Sequence, residues 1–341
     1  MDLLPNDEQA EIVTTVRSQL AADFTAAANA AHDGADSVVD PELWTRCAEL
    51  GWFGLGLPES DGGVGYGLVE EAQLFTEIGA HATPGPFLAT VLAGKVAAAA
   101  GDGPLVAAIL AGERRVALAE PEPVPGADPV VGESVAGTFR VTDHGGAHLV
   151  LALHGRHAAL LELPTLALHP VDSLDALVPL ATAELNGASM CSVDDRTIAL
   201  SATVLVSAQL AGIARATAEQ STEYAKDREQ FGRPVGSFQA VKHRCADMAV
   251  RADAAVNLTN LAALAVASGA DDDRFQTEAA RVVAGESALA NAQINVQNHG
   301  GIGFTWEHTA HRYVTRAQVL SRTAGTHYSH LADLLAADAP S

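Results

Sequence analysis

The stretch Arg228-Glu229-Gln230-Phe231-Gly232-Arg233-Pro234 decides how the chain is read, with Gln239 eleven residues past the arginine and Gln297-Asn298-His299-Gly300-Gly301-Ile302-Gly303-Phe304 downstream. The Arg228 guanidinium offers rigid forked donors and keeps its charge at any working pH, which suits a pyrophosphate. Phe231 beside Gly232 places an apolar face next to backbone that can be approached closely, while the carboxamides of Gln239 and Gln297 donate and accept at once. Taken singly, each piece is equally explained by a helix-ending Arg-Phe-Gly turn or an unrelated Gly-rich loop, as short motifs usually are. Together, in this order and spacing, they point to part of a flavin-dinucleotide site.

The texture of the chain changes twice around these motifs. From about Asn6 to Ala111 it reads as helices, with Glu11-Ile12-Val13, Val16 and Leu20, then Leu43, Cys47 and Leu50, recurring at helical spacing. Gly62-Gly63 and Pro84-Gly85-Pro86 break the pattern, and Leu88 to Ala100 is apolar on nearly every side, as a buried helix should be. From about Arg114 to Val193, short apolar runs such as Leu149-Val150-Leu151-Ala152-Leu153 and Ala158-Ala159-Leu160-Leu161 are punctuated by Pro, Gly and Asp. That predicts a small β domain, with a loop over Pro121 to Pro129. Long helices are predicted over Ala199–Lys226, Phe238–Ser268, Asp273–Gln297 and Glu307–Ala337, lengths that suit a bundle packing on copies or paralogues of itself.

At these residues the chain resembles the acyl-CoA dehydrogenase family, nearly end to end. Leu57-Pro58-Glu59-Ser60-Asp61-Gly62-Gly63-Val64-Gly65 is similar to the family's early LPE-x-x-GG-x-G loop, Tyr224 to Gly232 to its Y-A-x-x-R-x-x-F-G, and Ala246-Asp247-Met248 to its A-D-M. Gly300 to His311, GGIGFTWEHTAH, is close to the form in actinobacterial enzymes that shorten steroid side chains. The resemblance implies a mostly α fold with a small central β domain. Its parts would be an N-terminal helical domain over 1–112, a β-barrel-like middle domain over 113–197 and a C-terminal four-helix bundle over 198–341. It also implies FAD as cofactor, with Arg228, Phe231, Gly232, Gln239, Gln297, Gly300 and Gly301 as cofactor-binding residues.

In that family a glutamate takes the α-proton of an acyl-CoA while FAD accepts a hydride from the β-carbon, giving a trans-2-enoyl-CoA. The base must lie within hydrogen-bond reach of the proton. Many members carry it in a Y-E-G-T run about two dozen residues after the double glycine, where this chain reads Thr323-Ala324-Gly325-Thr326. A second lineage carries it on the helix leading into the arginine motif, at a position falling near Ala202. Both places hold alanine, and Ser201, Thr203, Val204, Leu205 and Val206 offer no carboxylate. No catalytic residue is therefore assigned to the chain. Glu219 and Glu223 read as surface residues, and Glu307 is disfavoured because similar chains carry the Trp306-Glu307-His308 run alongside a base elsewhere. That run reads instead as a wall of the acyl pocket or as subunit interface.

The middle domain departs from the family as well. Where a T-E-P strand end and a tryptophan-bearing strand normally cover the isoalloxazine, this chain reads Ala119-Glu120-Pro121 and then Phe139-Arg140-Val141-Thr142. The missing pieces are those that act on flavin within one subunit. The retained ones, in the family, reach across an interface to a neighbour's FAD. The resemblance thus implies a specialised subunit of a two-plus-two heterotetramer, with a paralogous acyl-CoA dehydrogenase chain holding most of the FAD and supplying the glutamate. An acyl-CoA substrate and an electron-transfer flavoprotein as acceptor follow from the same likeness. A homo-oligomer with an atypical base, and a flavin-free scaffold, stay open as alternatives.

Composition bounds these readings. At 341 residues and 48% hydrophobic content the chain has ample core. No charged start followed by an apolar run, and no uninterrupted apolar stretch long enough to cross a bilayer, is found, so a cytoplasmic location with no membrane partner is expected. A net charge of −22 argues against nucleic acid and anionic lipid. It is equally unhelpful for a polyanionic CoA, so binding groups must be local, and Arg228, Arg233 and Lys242 form the basic cluster near the motif, though the last two read as well as a solvated helix end. Cys47, Cys191 and Cys245 are too dispersed for a disulfide framework or metal knuckle and are expected as buried thiols. His308/His311 and His327/His330 repeat a spacing of three, but nothing obliges the pairs to converge, so no metal site is expected.

Overall fold

The computed structural model describes residues 7–21, 39–122, 128–305 and 307–339. Its helices are α1 (Asp7–Gln19), α2 (Pro41–Glu49), α3 (Leu68–Ala80), α4 (Phe87–Ala99), α5 (Gly103–Leu110), α6 (Arg196–Asp227), α7 (Gln239–Ser268), α8 (Asp273–His299), α9 (Ala310–Leu320) and α10 (His327–Ala336). Contacts divide the described residues into two compact units, 39–71 with 84–202, and 7–21 with 72–83 and 203–339.

The first unit is built on a seven-stranded sheet. Its strands are β1 (Val116–Pro121), β2 (Ser134–Thr142), β3 (Leu149–His154), β4 (His157–Glu162), β5 (Leu168–Val171), β6 (Leu180–Ala188) and β7 (Cys191–Asp194), in the order β5-β6-β2-β1-β3-β4-β7. Neighbours are antiparallel except β1 and β3, which run parallel with Leu118 opposite Leu151. Because side chains alternate, Ala117, Ala119, Phe139, Val141, Val150 and Ala152 share one buried cluster. Leu118, Leu149, Leu151 and Leu160 are buried too, and α4 packs on β1, β3, β4 and β7. That is why these runs are continuously apolar rather than alternating.

Helix α4 is buried on nearly every side, as its small-residue composition predicts, and Phe87 at its start closes an aromatic cluster with Trp44 and Phe53 at centroid distances of 5.2 and 6.2 Å. Asp40 caps α2 by accepting from the Glu42 and Leu43 amides. Glu71 accepts from the Gly56 amide at 3.2 Å and lies 2.8 Å from Lys95 Nζ, pinning the 54–65 loop.

In the second unit, glycine sets the approach of helices. A Cβ on Gly212 of α6 would overlap the Thr76 carbonyl oxygen of α3, and one on Gly79 would overlap the backbone of Gln209. Buried amides tie the long helices together. Asn291 of α8 donates to the carbonyls of Ala214 (3.0 Å) and Met248 (2.9 Å), and Asn295 accepts from Ser221 Oγ at 2.8 Å while donating to Gln220. Glu77, 1% exposed, receives Arg17 of α1 through Nε and Nη2 and Arg215 of α6 at 2.7 Å.

Four expectations need correction or limits. The helix predicted over Glu307–Ala337 is two helices, because Ala324 (φ 56°) and Gly325 (φ 110°) turn left-handed between α9 and α10. Cys47 is buried, but Cys191 and Cys245 are only half-buried. Helix α6 does have the length and hydropathy of a membrane span, and 83% of its most apolar window is buried inside the protein, so it is a core helix. The predicted loop over Pro121–Pro129 falls partly outside the described residues, as does Trp306.

Candidate functional site

Helix α6 runs to Asp227 and the chain then folds back on it. Glu229–Gln230 and Arg233–Pro234 form a two-residue ribbon closed by Phe231 (φ 54°) and Gly232 (φ 76°). Two successive positive φ values match the twist of a tight hairpin, which usually carries Asn-Gly there. A bulky aromatic in this region is strained, and strain of this kind collects at functional positions. Phe231 is 89% exposed, so core packing does not hold it there. Its ring meets Phe238 edge-on at 6.0 Å, and the Arg233 guanidinium stacks 4.1 Å over Phe238. The Val235 amide donates to the Arg228 carbonyl at 2.8 Å, and a Cβ on Gly236 would press on Ala225, so the loop is tied back onto α6. Arg228 itself is exposed and makes no ion pair among the described residues. Gln239 is the first residue of α7, exposed, at a helix start that no side chain caps.

The second piece hangs from the end of α8. Gln297 is exposed near its last turn, and Gly300 ends the helix at φ 65°, ψ −140°, a region open in practice only to glycine. Gly300 to Phe304 continue as a 3₁₀ turn in which Gly303 is forced, since a Cβ there would lie 2.8 Å from the Val296 carbonyl. Gly301 is different. It has no positive φ, and a Cβ on it would meet nothing within 4 Å among the described residues. Among the described residues nothing demands glycine at 301, so its openness fits a group approaching from outside, as the exposed Phe231 and Arg228 do. These residues fit FAD.

The two pieces are joined through aromatic rings. Tyr224 of α6 stacks on His299 of α8 at 4.3 Å, and its hydroxyl reaches the His299 carbonyl at 3.4 Å. His299 stacks in turn on His308 at 4.3 Å. The Asn295 carbonyl lies 2.8 Å from His299 Nδ1, so that nitrogen carries a proton. His308 Nδ1 instead accepts from the Ala310 amide at 3.1 Å, so it is bare. Burial holds His308 below the ordinary histidine range, with His299 and His311 adding to it. Sequence reading missed this stack because its three members come from distant segments. The signal was present as Tyr224 inside one motif and His299 inside the other.

At the two positions where the resemblance would place a base, Ala324 is half-buried in the left-handed turn and Ala202 is fully buried in α6. The acids weighed as substitutes lie elsewhere. Glu219 is exposed beside Arg215, Glu223 pairs with Lys226 at 2.6 Å, and Glu307 is exposed. The turn itself is well built. Arg281, 2% exposed, donates to the carbonyls of Leu320 (2.9 Å) and Thr323 (3.2 Å), and Thr326 forms a capping box with Ser329 at the start of α10. The histidine pairs do not converge: His327 lies 3.7 Å from Glu286, whereas His330 is buried against Glu278. In the sheet, Ala119 sits fully buried in the internal cluster and Glu120 pairs with Arg140 across β1 and β2 at 3.1 Å.

Comparison with known proteins adds an independent line. Residues 6–103 match the family description "Acyl-CoA dehydrogenase, N-terminal domain" and residues 201–337 match "Acyl-CoA dehydrogenase, C-terminal domain". The chain is 34% identical to the acyl-CoA dehydrogenase IpdE2 of Mycobacterium tuberculosis over 92% of each chain. It is 35% identical to the acyl-CoA dehydrogenase FadE34 of the same organism over 81% of its own length, but spans only 39% of FadE34. Among solved structures, one chain of the ChsE4-ChsE5 complex from Mycobacterium tuberculosis matches with a TM-score of 0.86 and 26% identity, over 100% of this chain and 100% of that one.

Proposed function

Because the chain belongs to the acyl-CoA dehydrogenase family, we propose that it is one subunit of a heteromeric, FAD-dependent dehydrogenase that introduces a trans-2 double bond into a bulky, steroid-derived acyl-CoA. The observation that carries the reading is an asymmetry. Arg228, Phe231, Gln239, Gln297 and Gly301, which would grip a dinucleotide, stand exposed and outside the core packing of the described residues, while both positions expected to carry a base hold alanine, one of them fully buried. FAD, when bound, supplies the hydride acceptor of the family's reaction.

Arg228 would hold the pyrophosphate through its forked donors, Phe231 would lay its ring against the cofactor, and Gln239 and Gln297 would hydrogen-bond its polar groups. Gly232, Gly300 and Gly301 let backbone approach without a side chain between. A paralogous chain supplies the glutamate and most of the flavin pocket, and electron-transfer flavoprotein receives the electrons. The full-length match to one chain of a two-protein complex supports a partnered subunit, and the GFTWEH run supports a steroid substrate.

The test is the visible spectrum of the chain purified alone and after co-expression with a glutamate-bearing paralogue. The expected result is a yellow protein only on co-expression, with flavin near half the total subunit number. A chain that is yellow and active alone, or colourless in both preparations, overturns the proposal.

A further inference from the structure

The Tyr224/His299/His308 stack sits where three helices meet: the end of α6 that leads into the Arg228–Gly232 hairpin, the end of α8 that leads into Gly300–Phe304, and the start of α9. Both flavin-lending pieces are suspended from it. One contact in it depends on charge. Ala310 is the first residue of α9, and its amide has no carbonyl of its own helix to reach, so the bare Nδ1 of His308 supplies the acceptor.

We propose that His308 is a positioning residue for the flavin-lending segment, competent only as the neutral imidazole. Gaining a proton at Nδ1 turns the acceptor into a donor facing another donor, so the Ala310 amide loses its partner. The new positive charge would also stand at the positive end of α9 and against the His299 ring. The titrating groups that act on His308 from the surrounding elements are His299 of α8 and His311 of α9, both of the same sign as the charge it would gain; Tyr224 of α6 reaches it through the His299 ring. Burial opposes that charge as well. The neutral form is therefore the one the fold holds, and its contribution is fully present above the ordinary histidine value of 6.5 and is lost as pH falls below it.

This rests on the borrowed-flavin reading, and two measurements separate them. Hydrogen exchange of the purified full chain, corrected for the intrinsic pH dependence of exchange, reads the Ala310 amide without flavin. Protection there is expected to fall about fivefold between about pH 7.5 and about pH 5.5, the size of one lost helix cap. His308→Asn keeps a side-chain oxygen for the amide two residues on and cannot titrate, so its protection should stay flat across the range. His308→Ala should be unprotected throughout. Equal pH responses in the wild type and His308→Asn, or no response in the wild type, overturn the proposal.

The second measurement follows flavin fluorescence released from the FAD-loaded complex with the paralogous chain. Release should speed up on acidification in the wild type and not in His308→Asn. Identical acceleration in both overturns the positioning role. A complex that binds no flavin, with the exchange behaviour intact, overturns the borrowed-flavin reading and leaves the titrating cap standing.

Discussion

His330 Nδ1 lies 2.6 Å from Glu278 Oε2, joining α10 to α8 through two side chains that are each less than a tenth exposed. Nε2 of the same ring is buried without a hydrogen-bond partner among the described residues, and a Cβ on Gly325 would lie 2.7 Å from it. The turn that holds Ala324 is thus seated on an imidazole, and the imidazole is held by a carboxylate one helical turn from Arg281.

Breaking this pair should be costly because it strands a carboxylate in a dry site. His330→Ala is expected to lower unfolding stability by about 3 kcal/mol, whereas Glu278→Gln, which still offers an oxygen to Nδ1–H, should lose well under half of that. Urea unfolding of the three proteins checks the order, and equal losses would contradict it.

Glycines at 212 and 301 should behave oppositely. Gly212→Ala forces its methyl into the Thr76 carbonyl and is expected to cost about 3 kcal/mol through overpacking. Gly301→Ala meets open space and should leave the melting temperature unchanged while weakening flavin retention in the complex. A destabilised Gly301→Ala protein would show that the glycine serves the chain's own fold.

Arg228→Ala should weaken flavin retention by about tenfold, the loss of one charge-assisted contact to a phosphate. Thermal stability should not move, since Arg228 is exposed and unpaired among the described residues. Equilibrium dialysis of FAD from the complex is the measurement, and unchanged retention contradicts the assigned role.

Phe231→Asn should trade function for stability. Asparagine tolerates the left-handed conformation that strains phenylalanine, so the melting transition should rise by the equivalent of about 1 kcal/mol while flavin retention falls. Retention equal to wild type would remove Phe231 from the site.

The Glu77 carboxyl should limit acid stability. Burial raises its pKa, but the hydrogen bonds and charges of Arg17 and Arg215 outweigh burial and leave it below its ordinary value of 4.5. A depressed carboxyl contributes stability that is fully present above the unfolded value and lost as pH falls through the folded one. Wild type should therefore lose melting temperature below about pH 4.5, and Glu77→Gln, less stable at neutrality, should lose less over the same range.

Long helices and the sheet were legible in the sequence because they announce themselves locally. The Leu149–Leu153 run is a strand buried on both faces, and the small-residue run from Leu88 is a helix buried on nearly every side. Arg228, Phe231 and Gly301 stand out in the sequence because they are exposed residues of types that ordinary surface packing does not require, and the cofactor role proposed for them rests on that exposure. The break at 321–326 was hidden because an alanine at positive φ leaves no mark in a helical periodicity, although Gly325 beside it was a signal. His330 with Glu278, and the ring stack of Tyr224, His299 and His308, join residues from distant segments, and periodicity within one segment carries no information about which ring will meet which.

The left-handed turn at Ala324 keeps its supports, from the Arg281 fork beneath it to the capping box beyond, although its side chain is a methyl group. On the proposed reading, architecture and reactivity have come apart at this spot. The turn is maintained by neighbours rather than by the side chain at 324, so exchange of that one residue would change the chemistry offered there without refolding the scaffold around it.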